Sequence, residues 1–116
     1  MKRFLAPILL LVLLFPTLAL GEEVTMDDLV VTNGLYYKKF TDVPFTGKVD
    51  EGLSRGVIKN GEREGPWVIY YNNGRLWYKG AYKNGKQEGP WLWYDEDGNK
   101  IQRLSGTYRN GEKVSD

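Results

Sequence analysis

Beyond residue 21, apolar and polar positions in the chain alternate with a period of two. Trp67 and Ile69 fall on one side of a predicted strand, while Val68 and Tyr70 fall on the other. This period, together with β-branched and aromatic residues, is typical of β-strands, and no helical period of useful length is present. The pattern therefore predicts an all-β protein. The same alternation recurs at Trp91, Leu92, Trp93 and Tyr94.

Turn dipeptides separate the predicted strands at regular intervals. Asn-Gly pairs tolerate positive φ at both residues, which favours two-residue β-hairpin turns. A second kind of turn ends at Gly74 and Gly98, so each unit is predicted to contain two strands and two turns. Pro66 and Pro90 are expected to begin strands, where a missing N–H is tolerated. The Asn-Gly pairs begin at Asn33, Asn60, Asn84 and Asn110.

The turns belong to an internal repeat of 24 residues. Ten of the 24 residues from Gly56 to Lys79 recur 24 positions later, which indicates one supersecondary unit joined to copies of itself. A partial copy begins at Gly106, and residues 44–49 resemble a divergent lead-in strand. The identical pairs are Gly56/Gly80, Lys59/Lys83, Asn60/Asn84, Gly61/Gly85, Glu64/Glu88, Gly65/Gly89, Pro66/Pro90, Trp67/Trp91, Tyr70/Tyr94 and Gly74/Gly98.

The first 21 residues have a different composition from the rest. Lys2 and Arg3 precede an apolar run from Phe4 to Leu20, and Ala19 and Gly21 place small residues at a signal-peptidase site. We therefore predict a signal peptide at 1–21, a lead-in at 22–33 and a β-hairpin repeat domain at 34–116. The alternative is a retained membrane anchor, because the run is at the lower length limit for spanning a bilayer.

Composition excludes several classes of function. Lys2 and Arg3 are two of the 16 basic residues, so residues 22–116 carry 14 basic and 15 acidic residues, a net charge of −1. This balance argues against nucleic-acid binding and leaves membrane lipid as only a weakly supported partner. The sequence contains no His and no Cys, which removes the usual nucleophiles, general bases and zinc ligands, so no enzyme activity, cofactor or metal is predicted.

Two charged segments are interpreted as solvated surface. Residues 95–99 alternate oxygen ligands, but Gly98 is at the fourth position of the loop and an EF-hand requires Gly at the sixth, so a plain turn is favoured. A mixed row of charges near the Asn-Gly turns is expected to form a solvated edge that discourages aggregation. Its members are Lys59, Glu62, Arg63, Glu64, Lys83, Lys86, Glu88, Arg109, Glu112 and Lys113.

The repeat motif G-x-x-K-N-G-x-x-E-G-P-W-x-x-Y-x-x-x-G resembles the MORN repeat, in the bacterial variant associated with YwqK-type antitoxins. The resemblance covers roughly residues 34–113. It implies tandem β-hairpins that form a single elongated, twisted antiparallel sheet. It implies less about function, because repeat scaffolds serve many partners.

A row of aromatic and apolar side chains is the candidate site for a protein partner. If the hairpins stack in register, Trp67 and Trp91 lie in line on one sheet face, with Ile69 and Trp93 beside them. The alternative is that these rings pack as core against Ile58, Tyr82 and Tyr108. Trp93 replaces Ile69 of the previous unit, so we expect Trp93 to be the contact residue. Trp91 repeats Trp67 and is expected to be structural.

The sequence thus favours an exported, non-catalytic protein–protein interaction module of the periplasm or cell envelope. One alternative is an immunity or antitoxin protein, with a toxin as its partner. The other is a peripheral membrane-associated module, against which the net charge argues.

Export is directly testable. Cleavage after Gly21 is expected to give a mature chain that begins at Glu22, because the small residues satisfy the peptidase. Mass spectrometry of the protein from its native host measures this N-terminus. An intact Met1 in the membrane fraction would show a retained anchor instead.

Overall fold

The computed structural model describes residues 22–50 and 52–116, and the predicted signal peptide lies outside these residues. It contains ten strands and a single 3₁₀ turn at Met26–Asp28, which confirms the all-β prediction. No helix among the described residues is long and apolar enough to cross a membrane. The strands are β1 (Glu22–Val24), β2 (Leu29–Thr32), β3 (Leu35–Lys38), β4 (Gly47–Val49), β5 (Ser54–Lys59), β6 (Glu62–Tyr70), β7 (Leu76–Lys83), β8 (Lys86–Trp93), β9 (Gly106–Arg109) and β10 (Glu112–Ser115).

Eight strands form one sheet in the order β1-β4-β5-β6-β7-β8-β9-β10. From β4 to β10, neighbours in the sheet are also neighbours in the chain and pair antiparallel, as successive hairpins require. Two features differ from the predicted single antiparallel sheet. Strand β1 pairs parallel with β4, and β2 and β3 form a separate two-stranded hairpin.

The Asn-Gly turns have the predicted conformation. In each of the four turns, Asn has φ between 51° and 54° and Gly has φ between 79° and 90°. Positive φ at both residues is the signature of the type I′ turn, whose twist matches that of the flanking strands. Turn chemistry therefore sets the hairpin registers, including the pairing of Thr32 with Leu35 on either side of Asn33-Gly34.

The prediction that Pro66 and Pro90 begin strands is wrong, because both lie inside strands, β6 and β8. In β6, Gly65 has φ of +72°, and the register with β5 shifts at this point. Such a bulge already interrupts the hydrogen-bond ladder, so a proline there removes no ladder bond. The Gly-Pro dipeptide therefore marks a bulge and not a strand boundary.

Each bulge brings a tryptophan over a glycine of the preceding strand. The indole of Trp67 covers Gly56 and that of Trp91 covers Gly80, and a Cβ atom at either glycine would overlap the ring. The indole N–H of Trp91 donates to the Ala81 carbonyl oxygen at 3.1 Å, and Trp67 makes the equivalent bond. We call this arrangement the Trp-over-Gly contact.

Hydrogen bonds also join the Asn-Gly turns at Asn84 and Asn110 to the preceding unit. The Glu64 carboxylate accepts the backbone N–H of Asn84 at 3.0 Å, and the Glu88 carboxylate accepts that of Asn110 at 3.1 Å. The Gly85 N–H donates to the carbonyl oxygen of Arg63 at 3.1 Å. Glu64 and Glu88, predicted to lie on a solvated edge, are half-buried, and their carboxylates also connect units.

Two clusters of buried side chains form the core, and Tyr82 packs against both. The first cluster is built around Trp67 and Ile58, and residues of the N-terminal segment, including Val24 and Leu29, pack onto it. The second is built around Trp91. The divergent N-terminal segments therefore cover the first unit, as expected of a capping element in a repeat array.

The Trp-over-Gly contact leads to a stability prediction. Gly80→Ala should lower the free energy of unfolding by at least about 2 kcal/mol, because the added methyl group displaces the Trp91 ring. Urea unfolding followed by tryptophan fluorescence measures this loss. Gly52→Ala is the matched control, since a Cβ atom there meets nothing within 4 Å. Equal midpoints for the two variants would contradict the contact.

Candidate binding surface

The sheet has two faces of different character. Side chains alternate between them along each strand. The aromatic face carries the two core tryptophans and the residues packed around them. We call the opposite face the proline face, because Pro66 and Pro90 lie on it. The aromatic face comprises Ile58, Trp67, Ile69, Tyr78, Tyr82, Trp91, Trp93 and Tyr108.

The structure places the four predicted partner-binding residues together on the aromatic face. Trp67 and Trp91 are each only 1% exposed, and Ile69 is also buried. Trp93 is half-buried. Three of the four side chains are thus core, packed with Ile58, Tyr82 and Tyr108 as in the alternative interpretation. Only Trp93 retains surface that a partner can reach.

Trp93 is held by stacking and not by its indole N–H. Its ring lies 4.1 Å from that of Tyr78 and 6.1 Å from that of Trp91, measured between ring centroids. Its backbone N–H donates to the Ser105 hydroxyl at 2.9 Å. Its Nε1 is buried and has no hydrogen-bond partner among the described residues. Burial also raises the pKa of the Tyr78 phenol, which therefore stays neutral at physiological pH.

Arg63 occupies a position on the aromatic face that sequence reasoning missed. Its guanidinium carbon lies 5.1–5.4 Å from the ring centroids of Tyr36, Trp67 and Tyr82. It donates hydrogen bonds to the hydroxyls of Tyr36 at 2.7 Å and Tyr82 at 2.9 Å. The expectation of a solvated Arg63 is wrong, because these cation–π and hydrogen-bond contacts fasten the β2–β3 hairpin to the sheet.

The proline face exposes apolar side chains, whereas the apolar side chains of the aromatic face are mostly buried. Val57 on this face is 45% exposed. Pro66 and Pro90 are exposed as well, and with the half-buried Val68 and Leu92 they border a shallow groove of 220 Å³. The exposed face therefore differs from the one that the tryptophan row suggested. The sequence already indicated this apolar face, because Trp67 and Trp91 each have a proline before them and an aliphatic residue after them.

The acidic turn at residues 95–99 is satisfied internally. The Asp95 carboxylate accepts the backbone N–H groups of Asn99 at 2.8 Å and Asp97 at 3.0 Å. The bond from Asn99 is the main cause of a lowered Asp95 pKa. Among the described residues, no three His, Cys, Asp or Glu side chains gather to hold a metal ion. This turn stacks on its counterpart in the previous unit, where Asn73 donates to the Glu96 carbonyl oxygen at 3.0 Å.

Comparison with known proteins identifies the repeat. Residues 63–84 and 87–110 each match the family model of the MORN repeat variant. Each matched segment contains one Gly-Pro bulge and one core tryptophan. The match is to the repeat and does not extend to the YwqK-type antitoxins. Searches of curated proteins and of solved structures found no match.

The match gives a broad class of function. MORN repeats commonly mediate interactions with proteins or membranes, and they are generally non-catalytic modules. In this chain, the exposed apolar side chains of the proline face are the feature that suits an interaction of this kind.

The two indole N–H groups of the second unit lead to opposite expectations. Trp91→Phe removes a hydrogen bond that is made, whereas Trp93→Phe removes a buried donor without a partner. We expect the loss of unfolding free energy in Trp91→Phe to exceed that in Trp93→Phe by about 1–3 kcal/mol. Urea unfolding of both variants measures the difference. Equal losses would show that the Trp91 bond adds nothing.

Proposed function

We propose that this chain is an exported, non-catalytic protein-binding module and that its partner contacts the proline face. The exposed apolar surface of this face carries the proposal. Val57, Pro66 and Pro90 are exposed on it, whereas the neighbouring residue in each strand is buried on the aromatic face. Exposed apolar side chains grouped on one sheet face of a small domain favour an interaction site, because their contact with water is unfavourable.

Export is supported by composition. The apolar run before residue 21 with its charged start and small-residue exit is typical of a secretory leader. The proposed location is the periplasm or the cell envelope.

The non-catalytic part of the proposal rests on the side chains available. The full sequence has no His and no Cys. Of the carboxylates in the repeat motif, Glu64 and Glu88 are already used to join units. A protein partner is favoured over a lipid surface, because the net charge of −1 for residues 22–116 gives no attraction to anionic headgroups.

Trp93 keeps its predicted role as a second contact at the edge of the aromatic face. Its exposed part offers a ring surface to a partner. Trp67, Ile69 and Trp91 act indirectly, because they hold the sheet in shape.

The test is capture of a partner from a native envelope extract by residues 22–116. The double variant Val57→Ser/Val68→Ser should reduce the captured species by at least about tenfold, since it removes apolar contact area from the proline face. Val114→Ser is the matched control for Val57→Ser, because Val114 is 53% exposed but lies on β10 at the sheet edge.

Circular dichroism of each variant confirms that the fold is retained. Capture that is unchanged in the double variant, or lost equally in the Val114→Ser control, would contradict a partner on the proline face.

A further inference from the structure

The groove on the proline face contains one charged side chain in an apolar setting. Lys79 lies on β7 between two cross-strand neighbours, Val68 on β6 and Leu92 on β8. The prolines Pro66 and Pro90 border the groove on either side. Lys79 is exposed, and no carboxylate among the described residues lies within ion-pair distance of its Nζ.

The adjoining groove shows the opposite arrangement. It has a volume of 380 Å³ and shares Pro90 and Leu92 with the first groove. It also carries a lysine, Lys100, but Asp116 lies in the same groove, and Lys100 helps to lower the pKa of that carboxyl after the larger effect of Lys113. One groove therefore has an internal counter-charge and the other has none.

We propose that the Lys79 groove binds a peptide segment of the partner protein that presents a carboxylate side chain between apolar side chains. The inference rests on the proposed function and adds the chemistry of the ligand. The apolar partner residues cover Val68, Leu92 and the two prolines, and the carboxylate pairs with the Lys79 ammonium. Partial desolvation by the apolar walls makes such a pair stronger than one in open solvent.

The charge pattern favours a peptide over an anionic membrane. Binding to lipid headgroups needs a cluster of basic residues, whereas this groove offers a single lysine. The two prolines that line the groove offer apolar contacts to the side chains of a peptide that crosses the strands. The groove is shallow, so the ligand requires no deep insertion and no movement of the sheet.

The experiment is selection from a library of random 12-residue peptides displayed as internal fusions, which have no free C-terminal carboxylate. The target is residues 22–116. Selected peptides are expected to carry Asp or Glu flanked by apolar residues. The Lys79→Glu variant should bind them at least about tenfold more weakly, and selection on this variant should yield Lys or Arg at the same position.

Lys100→Glu is the matched control, because it makes the same charge change in the adjoining groove. It should leave both the affinity and the selected sequence unchanged. Peptides that bind equally to wild type and Lys79→Glu would overturn the assignment of the carboxylate, while leaving a binding role for the proline face intact.

A second experiment tests whether the anionic group that binds Lys79 belongs to a lipid and not to a peptide. Vesicles containing phosphatidylserine should not sediment the wild-type protein beyond the level of neutral vesicles. Binding to these vesicles that Lys79→Glu abolishes, with no peptide selected, would overturn the peptide proposal. Failure of both arms while the envelope partner is still captured would place that partner away from the Lys79 groove.

Discussion

The Trp-over-Gly contact between successive strands is the interaction on which the rest of the structure depends. A single-layer sheet has no second layer to cover it, so a large ring must lie flat against its own sheet. Gly56 and Gly80 leave the space for this, and the Gly-Pro bulges shift the register where the rings cross. The indole N–H of each ring also donates to a backbone carbonyl oxygen, so burial of the ring leaves no unsatisfied donor.

This contact explains the asymmetry of the two faces. Rings that lie flat on one side fill the aromatic face, and the N-terminal segments cover the remaining part near Trp67. Nothing in the described chain covers the other side, where Pro66 and Pro90 follow the bulge glycines. The division into a filled face and an open face is therefore a consequence of how the repeat builds its core.

Features that depend on neighbouring residues could be predicted from the sequence, and features that depend on distant ones could not. The Asn-Gly turns and the strand alternation are local, so hairpins such as that around Asn33-Gly34 were predictable. The environment of Arg63 requires Tyr36 from a different segment, and the second unit has Gln87 at the corresponding position. The recurrence of Glu64 as Glu88 was visible, but its bond to the next Asn-Gly turn appears only when the units are stacked.

The tryptophan of each unit covers the glycine that begins the same unit, so the Trp-over-Gly contact is carried complete within each 24-residue repeat. Adding or removing one whole 24-residue unit keeps every ring matched to a glycine, whereas a change of another length within a unit separates them. The interval from Gly80 to Gly106 is two residues longer than the repeat, and the loop between Gly98 and Gly106 contains the extra length. In this loop the Ser105 hydroxyl accepts the Trp93 N–H, and β8 still pairs with β9. Changes of length are thus tolerated as complete units or in this loop, which is how such an array can grow by duplication and still fold.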